Sequence, residues 1–293
     1  MSPLPSSLER RRKNLRVRSA LLLARVAPAG FAAQFRSPVF LVGCARSGTT
    51  LLAGMLGTHP RIAEWSEANY LWDPGWYPWR PAFAHKRPLE VDPVAFTARW
   101  WSENRQRRQP IAAAFGAYQA LHGGEVLLNK SPFHTFRIPH LLELFPDARF
   151  VHVVRDGRAV AHSYAGHLLR KGKLREWPEE LREELTADPH RLVLRTAEVW
   201  RQSTAEVETR VRELDLATRG RLAETTYEEL VADPAGVLAG LHRFLGVEPR
   251  PADANAWVLK NQNHKWRATL PAAVRDELEA RRADDLVRRG YVP

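Results

Sequence analysis

Between an uninterrupted apolar run, Pro38-Val39-Phe40-Leu41-Val42-Gly43, and a helical pattern over Thr49–Leu56 lies the octet Gly43-Cys44-Ala45-Arg46-Ser47-Gly48-Thr49-Thr50. This feature constrains the fold more than any other. A strand that stops in a glycine turn and runs straight into a helix aims free backbone N–H groups and the positive end of the helix dipole at one point, where an anion fits. A continuous apolar run, rather than an alternating one, marks a strand buried on both faces, as in a parallel sheet.

The same alternation recurs downstream. Glu125–Asn129 is a second apolar run and precedes a helical pattern over Ile138–Phe145. Arg149–Val154 reads as a third strand, followed by a helix over Gly157–Leu169, and Arg221–Thr225 as a fourth strand, leading to helical segments around Val237–Leu245. Strands separated by helices predict an α/β fold, a P-loop-type open parallel sheet flanked by helices in a single domain. At 293 residues the chain is long enough to bury the core this requires.

Charge is unevenly spread. The net charge is +11, yet residues 1–36 hold eight basic residues against the single acid Glu9, so seven of those charges sit in this segment and the body is near balance. The expected organisation is a basic helical N-terminal arm, 1–36, and a main domain, 37–293. Arg11, Arg18 and Arg25 recur every seven residues beside Leu15, Leu22 and Val26, and Pro28-Ala29-Gly30 should end the helix. Such a helix either packs its apolar side on the domain, the favoured reading, or makes a peripheral contact with an anionic membrane. The single cysteine, Cys44, excludes an intrachain disulfide and a structural thiolate zinc site. The apolar stretch Ala20–Phe35 is broken by Arg25 and Pro28, so neither a membrane span nor a signal peptide is expected. The expectation is a soluble, cytoplasmic protein.

The loop matches Gly-x4-Gly, but Thr49 stands where a nucleotide triphosphatase carries its lysine, and Thr50 where it carries its Mg²⁺-binding hydroxyl. Without that lysine, a grip on β- and γ-phosphates is missing and ATP or GTP hydrolysis is disfavoured. The cation is instead Arg46, inside the loop. A single 5′-phosphate carrying a transferable group fits better than a triphosphate.

The segment GCARSGTTLL, Gly43–Leu52, resembles the 5′-phosphosulfate loop of sulfotransferases that use 3′-phosphoadenosine 5′-phosphosulfate (PAPS), and VVRDGRAVAHSY, Val153–Tyr164, resembles their 3′-phosphate motif. The nearest branch contains tyrosylprotein and many bacterial sulfotransferases. Further similar segments are Leu51–Glu67, Asn129-Lys130-Ser131-Pro132-Phe133, Tyr227-Glu228-Glu229-Leu230-Val231 and Phe244-Leu245-Gly246. The likeness runs from about residue 38 to the C-terminus. It implies O-sulfation: in-line transfer of a sulfuryl group from PAPS to an acceptor hydroxyl, leaving 3′-phosphoadenosine 5′-phosphate (PAP), with no metal.

Residue roles follow from this resemblance. Arg46 and the loop positions Ser47, Gly48, Thr49 and Thr50 are expected to bind the 5′-phosphosulfate. Arg155 and Ser163 are assigned to the 3′-phosphate, while His167 stands where related enzymes tend to have an arginine. Glu67, 21 residues after Arg46, matches the catalytic glutamate of the tyrosylprotein branch and is the expected general base; burial among Trp65 and Trp72 would raise its pKa toward a useful range. Glu64 and His59 are its competitors. Lys130 should stabilise the bridging oxygen or sulfuryl group, with Arg46 supporting the leaving phosphate. Tyr227 is expected near the adenine, and Lys265 matches a position that closes over the cofactor. Arg158 and His162 are expected on the helix surface.

The acceptor is less legible. Six of the ten tryptophans and several prolines lie in Trp65–Trp101, which could form an apolar pocket or a packed subdomain core. A small-molecule, glycolipid or peptide hydroxyl is expected, and no nucleic acid. The competing readings are a P-loop small-molecule kinase and a non-catalytic nucleic-acid- or membrane-binding protein acting through the arm.

Overall fold

The computed structural model describes residues 7–72, 108–176 and 179–250, and continues to 291 except for 251–253, 256 and 258. Along the chain its elements are α1 (Ser7–Val26), α2 (Pro28–Gln34), β1 (Val39–Val42), α3 (Thr49–Leu56), β2 (Ile62–Ser66), α4 (Arg108–His122), β3 (Val126–Lys130), α5 (Ile138–Leu144), β4 (Arg149–Val154), α6 (Gly157–Arg170), α7 (Glu179–Ala187), α8 (Pro189–Glu213), β5 (Leu222–Thr226), α9 (Tyr227–Ala232), α10 (Pro234–Leu245), α11 (Lys265–Thr269) and α12 (Ala272–Arg288). The strands form one parallel sheet in the order β2-β3-β1-β4-β5. The first strand thus lies at the centre, and the loop that follows it opens at the middle of the sheet's carboxyl edge.

Strand alternation divides the core. Phe40, Val42, Ala63, Trp65, Leu127 and Phe150 pack on the α1, α2 and α4 side, while Val39, Leu41, Ile62, Leu128, Val151 and Val153 pack on α3 and α10. Both sets are apolar because the sheet has helices on both faces. A third cluster joins α6, α8 and α12 through Val160, Leu168, Leu192, Trp200 and Leu278.

Several expectations change. β2 carries no clear strand signal in the sequence, because Glu64 interrupts the apolar pattern of an edge strand; among the described residues the sheet has five strands rather than the expected four. The first helix ends at Val26, just before Pro28 as expected, and Pro28 then opens a second short helix, α2, where its fixed φ and missing N–H suit a first turn. The N-terminal segment packs on the body, as the favoured reading expects: Ala20, Leu21, Ala32 and Phe35 belong to the same core cluster as Phe40 and Phe115. The face of α1 that packs is not the one carrying Leu15, Leu22 and Val26, which are exposed. Of the tryptophan-rich stretch, Trp65 stacks on Tyr118 at 4.5 Å between ring centroids, and Trp72 packs edge-on against Phe40 and His134. These two are core; the stretch from 73 to 107 lies outside the described residues. Among the described residues no helix is long and apolar enough to cross a membrane.

Candidate active site

Every strand delivers a site residue at its carboxyl end. Glu67 follows β2, Lys130 ends β3, Gly43 follows β1, Arg155 follows β4 and Tyr227 follows β5. Read across the sheet, the order is Glu67, Lys130, the glycine loop, Arg155, Tyr227. Parallel strands place all their carboxyl ends on one edge, so residues far apart in sequence converge there.

The loop is held in a shape few residues accept. Gly43 has φ 141°, and a Cβ there would meet the Val153 carbonyl oxygen at 2.5 Å. Its N–H donates to Thr135 Oγ1 at 2.9 Å. Gly48 has φ 95°, and a Cβ would strike the Tyr227 ring at 2.9 Å. Cys44 is buried, and that burial pushes its thiol up to about 12, the setting of a structural cysteine. Ser47 is 1% exposed and its Oγ has no hydrogen-bond partner among the described residues. A buried hydroxyl in an anion loop with its capacity unspent fits a loop shaped for an oxyanion.

Arg155 is fixed from several sides. Its Nε donates to Asn263 Oδ1 at 2.8 Å, Nη1 donates to the Arg46 carbonyl at 3.1 Å, and its guanidinium lies 4.1 Å from the Tyr227 ring centroid. Its own carbonyl accepts from Trp200 Nε1 at 3.0 Å. Tyr227 is therefore a prop between Gly48 and Arg155, with its hydroxyl donating to the Lys260 carbonyl at 3.1 Å. Ser163, two turns into α6, accepts from Arg46 Nε at 3.2 Å. With φ 72° Arg46 turns its side chain toward α6, where it meets Ser163, while its carbonyl accepts from Arg155.

The surroundings of Ser163 are strongly cationic. Burial lowers the pKa of His162, and Arg170, Lys265 and Arg155 lower it further. Burial likewise lowers His167, with added repulsion from Arg46, Lys173, Arg170 and Lys171. No carboxylate enters either set of causes. Lys265, exposed at the start of α11, contributes to this field, and His162 is half-buried through a 2.8 Å hydrogen bond with Thr269 Oγ1. Arg158, by contrast, is 3% exposed, paired with Asp156 and Glu279 and laid over Trp266; it holds α6 to α11 and α12. The expected surface position fails because α11 and α12 cover that side of α6.

On the other side of the loop, Lys130 is 1% exposed and bridges two elements: Nζ donates to Thr50 Oγ1 at 3.0 Å and to Glu67 Oε1 at 2.9 Å. Glu67 has φ 53° and donates its N–H to the Lys130 carbonyl at 2.7 Å. Non-glycine residues at positive φ cost free energy, and among the described residues only Arg46, Glu67 and Asp215 have it. The Glu67 side chain is 56% exposed, so the expected burial among Trp65 and Trp72 does not occur. Those indoles point into the core, whereas the turn at Glu67 points its carboxylate outward.

The competitors are otherwise engaged. Glu64 pairs with Lys13 of α1 and accepts from Ser66 Oγ. His59 Nε2 donates to the Glu248 carbonyl at 3.0 Å and its Nδ1 accepts from the Arg61 N–H at 3.1 Å. The structure adds two residues that sequence reading missed, Asn263 and Thr135. Neither lies in a glycine, hydroxyl or charge pattern, so only the fold reveals them.

A family model described as "Sulfotransferase family" matches residues 38–251, the span that contains all five strands and the loop. The chain belongs to the sulfotransferase family. Protein-tyrosine sulfotransferase 2 of Gallus gallus is 28% identical over 218 residues, covering 71% of this chain and 51% of the relative. Omega-hydroxy-beta-dihydromenaquinone-9 sulfotransferase Stf3 of Mycobacterium bovis is 29% identical over 135 residues, covering 42% of this chain and 29% of the relative. The chain spans about half or less of the length of such relatives. Among solved structures, the sulfotransferase domain of the Synechococcus PCC 7002 olefin synthase has a TM-score of 0.52 at 25% identity, over 85% of this chain and 94% of that one. Sulfotransferase STF9 of Mycobacterium avium, at 17% identity and TM-score 0.56 over 98% and 87%, shares the fold.

Proposed function

We propose that the protein moves the sulfuryl group of PAPS to an acceptor hydroxyl. The observation that carries this reading is Lys130: one buried ammonium joins Thr50 of the anion loop to Glu67. A transfer reaction needs that junction, because charge builds on the leaving oxygen while a proton leaves the acceptor. Bound PAPS would supply an activated sulfuryl group on a phosphate leaving group.

This chain's residues fit that donor. The loop amides and the unspent Ser47 hydroxyl suit the 5′-phosphosulfate. Arg155, Ser163 and Arg46, beside two histidines whose protonation is opposed by neighbouring cations, suit the 3′-phosphate. Lys130 Nζ would hydrogen-bond the oxygen on which charge develops. Glu67 Oε1 would accept the acceptor's proton once that hydroxyl comes within reach, and Lys130 orients its carboxylate for this.

The acceptor class follows from the relatives as a proposal. One relative carries a protein-tyrosine name and the other a hydroxylated menaquinone name, so the shared chemistry is a hydroxyl on an apolar carrier. The test is a thermal-shift panel of PAP, AMP, GTP and ATP with Mg²⁺, followed by transfer from labelled PAPS to tyrosyl peptide, simple phenol and long-chain alcohol. Selective stabilisation by PAP with label transfer to one acceptor supports the reading. Stabilisation by ATP with Mg²⁺ and not by PAP overturns it in favour of a kinase.

A further inference from the structure

α1 presents two apolar lines on opposite sides. Successive residues on a helix turn by about 100°. Val17, Ala20, Leu21 and Ala24, with Lys13, form the line that packs on the body; Ala20 and Leu21 are buried, and Lys13 pairs with Glu64. Leu8, Leu15, Leu22 and Val26 form a second line half a turn away, with 57%, 66%, 63% and 74% of their surface exposed. Seven large apolar side chains are strongly exposed among the described residues, and these four are the only ones that share a line on one helix. Isolated exposed leucines need no explanation, but a row of them over five turns does.

The flanks of that row are cationic. Arg11, Arg18 and Arg25 run along one side and Arg12 lies on the other, all exposed. Within α1 the only acid is Glu9, against seven basic residues. The charge pattern also chooses between occupants. A second copy of the helix would need a heptad seam with apolar residues at both core positions. Here the other core position is Arg11, Arg18 and Arg25 in one register of Leu8, Leu15 and Leu22, and Arg12, Ser19 and Val26 in the alternative, so either coiled-coil seam would bury arginine. At a lipid surface the same arrangement is satisfied, with leucines among the acyl chains and arginines extending to anionic headgroups.

We propose that the outer face of α1 is a docking surface for an anionic lipid bilayer, on which the helix lies parallel to the membrane plane. The inner face keeps it fastened to the body, so the whole domain is held at the surface. This rests on α1 alone and stands or falls independently of the sulfuryl-transfer reading.

The experiment is flotation of the full chain with vesicles of phosphatidylcholine alone and of phosphatidylcholine with phosphatidylglycerol. The expected result is binding to the phosphatidylglycerol vesicles only, weakening as salt is raised. Leu15→Gln/Leu22→Gln, at exposed positions, should keep the circular dichroism and melting temperature of the wild type and lower the partition coefficient on the order of tenfold or more. Arg11→Gln/Arg18→Gln/Arg25→Gln should remove both the binding and its salt dependence. Failure of the folded wild-type chain to float with anionic vesicles overturns the proposal, as does unchanged flotation of the leucine pair variant. A dimer that the leucine variant dissolves, with no flotation, assigns the face to a second copy. Retention on duplex DNA that needs the arginines and not the leucines, again without flotation, assigns it to nucleic acid.

Discussion

The two halves of the carboxyl edge are built differently. On the donor side, around β1, β4 and β5, the key cation is locked: Arg155 is held by Asn263, the Arg46 carbonyl and the Tyr227 ring, and its backbone is held by Trp200. On the acceptor side, around β2 and β3, the Lys130 ammonium is buried but its partner carboxylate, Glu67, is more than half exposed. The contrast follows from what each side is proposed to bind. A nucleotide with two fixed anionic ends rewards rigid cations, because an arginine already in place loses little entropy on binding. A proton acceptor must instead face the space from which the hydroxyl arrives.

If that division is right, substitutions on the two sides should separate binding from turnover. The largest effect is expected for Glu67→Gln, which keeps the side chain's shape and removes its basicity. Its kcat should fall by about 10²–10⁴-fold while PAP affinity stays near the wild type. Full activity in this variant would place the base elsewhere and break the comparison. Lys130→Met should lower kcat by about 10²–10³-fold, with a smaller effect on PAP binding. A loss confined to PAP affinity would move Lys130 to the donor side.

Arg155→Lys tests the donor side in return. Lysine keeps the charge but cannot keep the guanidinium fork or its stacking on Tyr227. PAP affinity, measured by calorimetry, should fall roughly 10–100-fold, with kcat at saturating donor much less affected. An equal loss of kcat would mean that Arg155 also acts in the transfer step.

The smallest effect is a pH dependence. His162 and His167 are held below the ordinary histidine value by burial first and by neighbouring cations second. In the unfolded chain they bind protons more readily, so the free protein should lose stability as pH falls below the ordinary histidine value of about 6.5. A 3′-phosphate placed among those cations would offset the repulsion and raise both pKa values. Binding then takes up protons, and PAP affinity should rise by about a few-fold as pH is lowered from 8 to 6. Calorimetry in buffers of different ionisation enthalpy reads this uptake directly. The phosphates of PAP take up protons at about pH 6 themselves and oppose this trend, so the deciding reading is the proton count at about pH 7 to 8: no uptake there would show that the phosphate is not beside these histidines.

Much of this architecture was legible in the chain. Apolar runs mark the three inner strands, β1, β3 and β4, because burial on both faces removes polar residues, whereas the edge strand β5 is polar and only partly buried. The α3 helix was bounded at Thr49–Leu56 in sequence and in structure. The edge strand β2 escaped, since one of its side chains reaches a polar partner: Glu64 meets Lys13 from a helix far away in sequence. Arg158 was misjudged for a similar reason. Its burial depends on Glu279 and Trp266, and no local pattern around residue 158 announces either.

By itself the sequence determined the chemistry available: a glycine loop with a threonine at the triphosphatase lysine position and an arginine inside the loop, a second phosphate motif, and the residues Glu67 and Lys130 that the family resemblance picks out. It also determined the charge of the N-terminal helix. Only the tertiary structure decided how these meet. Parallel pairing set Glu67 beside Lys130, Asn263 under Arg155, and Arg46 on Ser163, and it buried one side of α1 while leaving Leu15 and Leu22 exposed. The reason is physical. Local patterns record which backbone conformation and which environment a residue favours, but contacts between distant segments are fixed by the packing of whole layers, which no short stretch encodes.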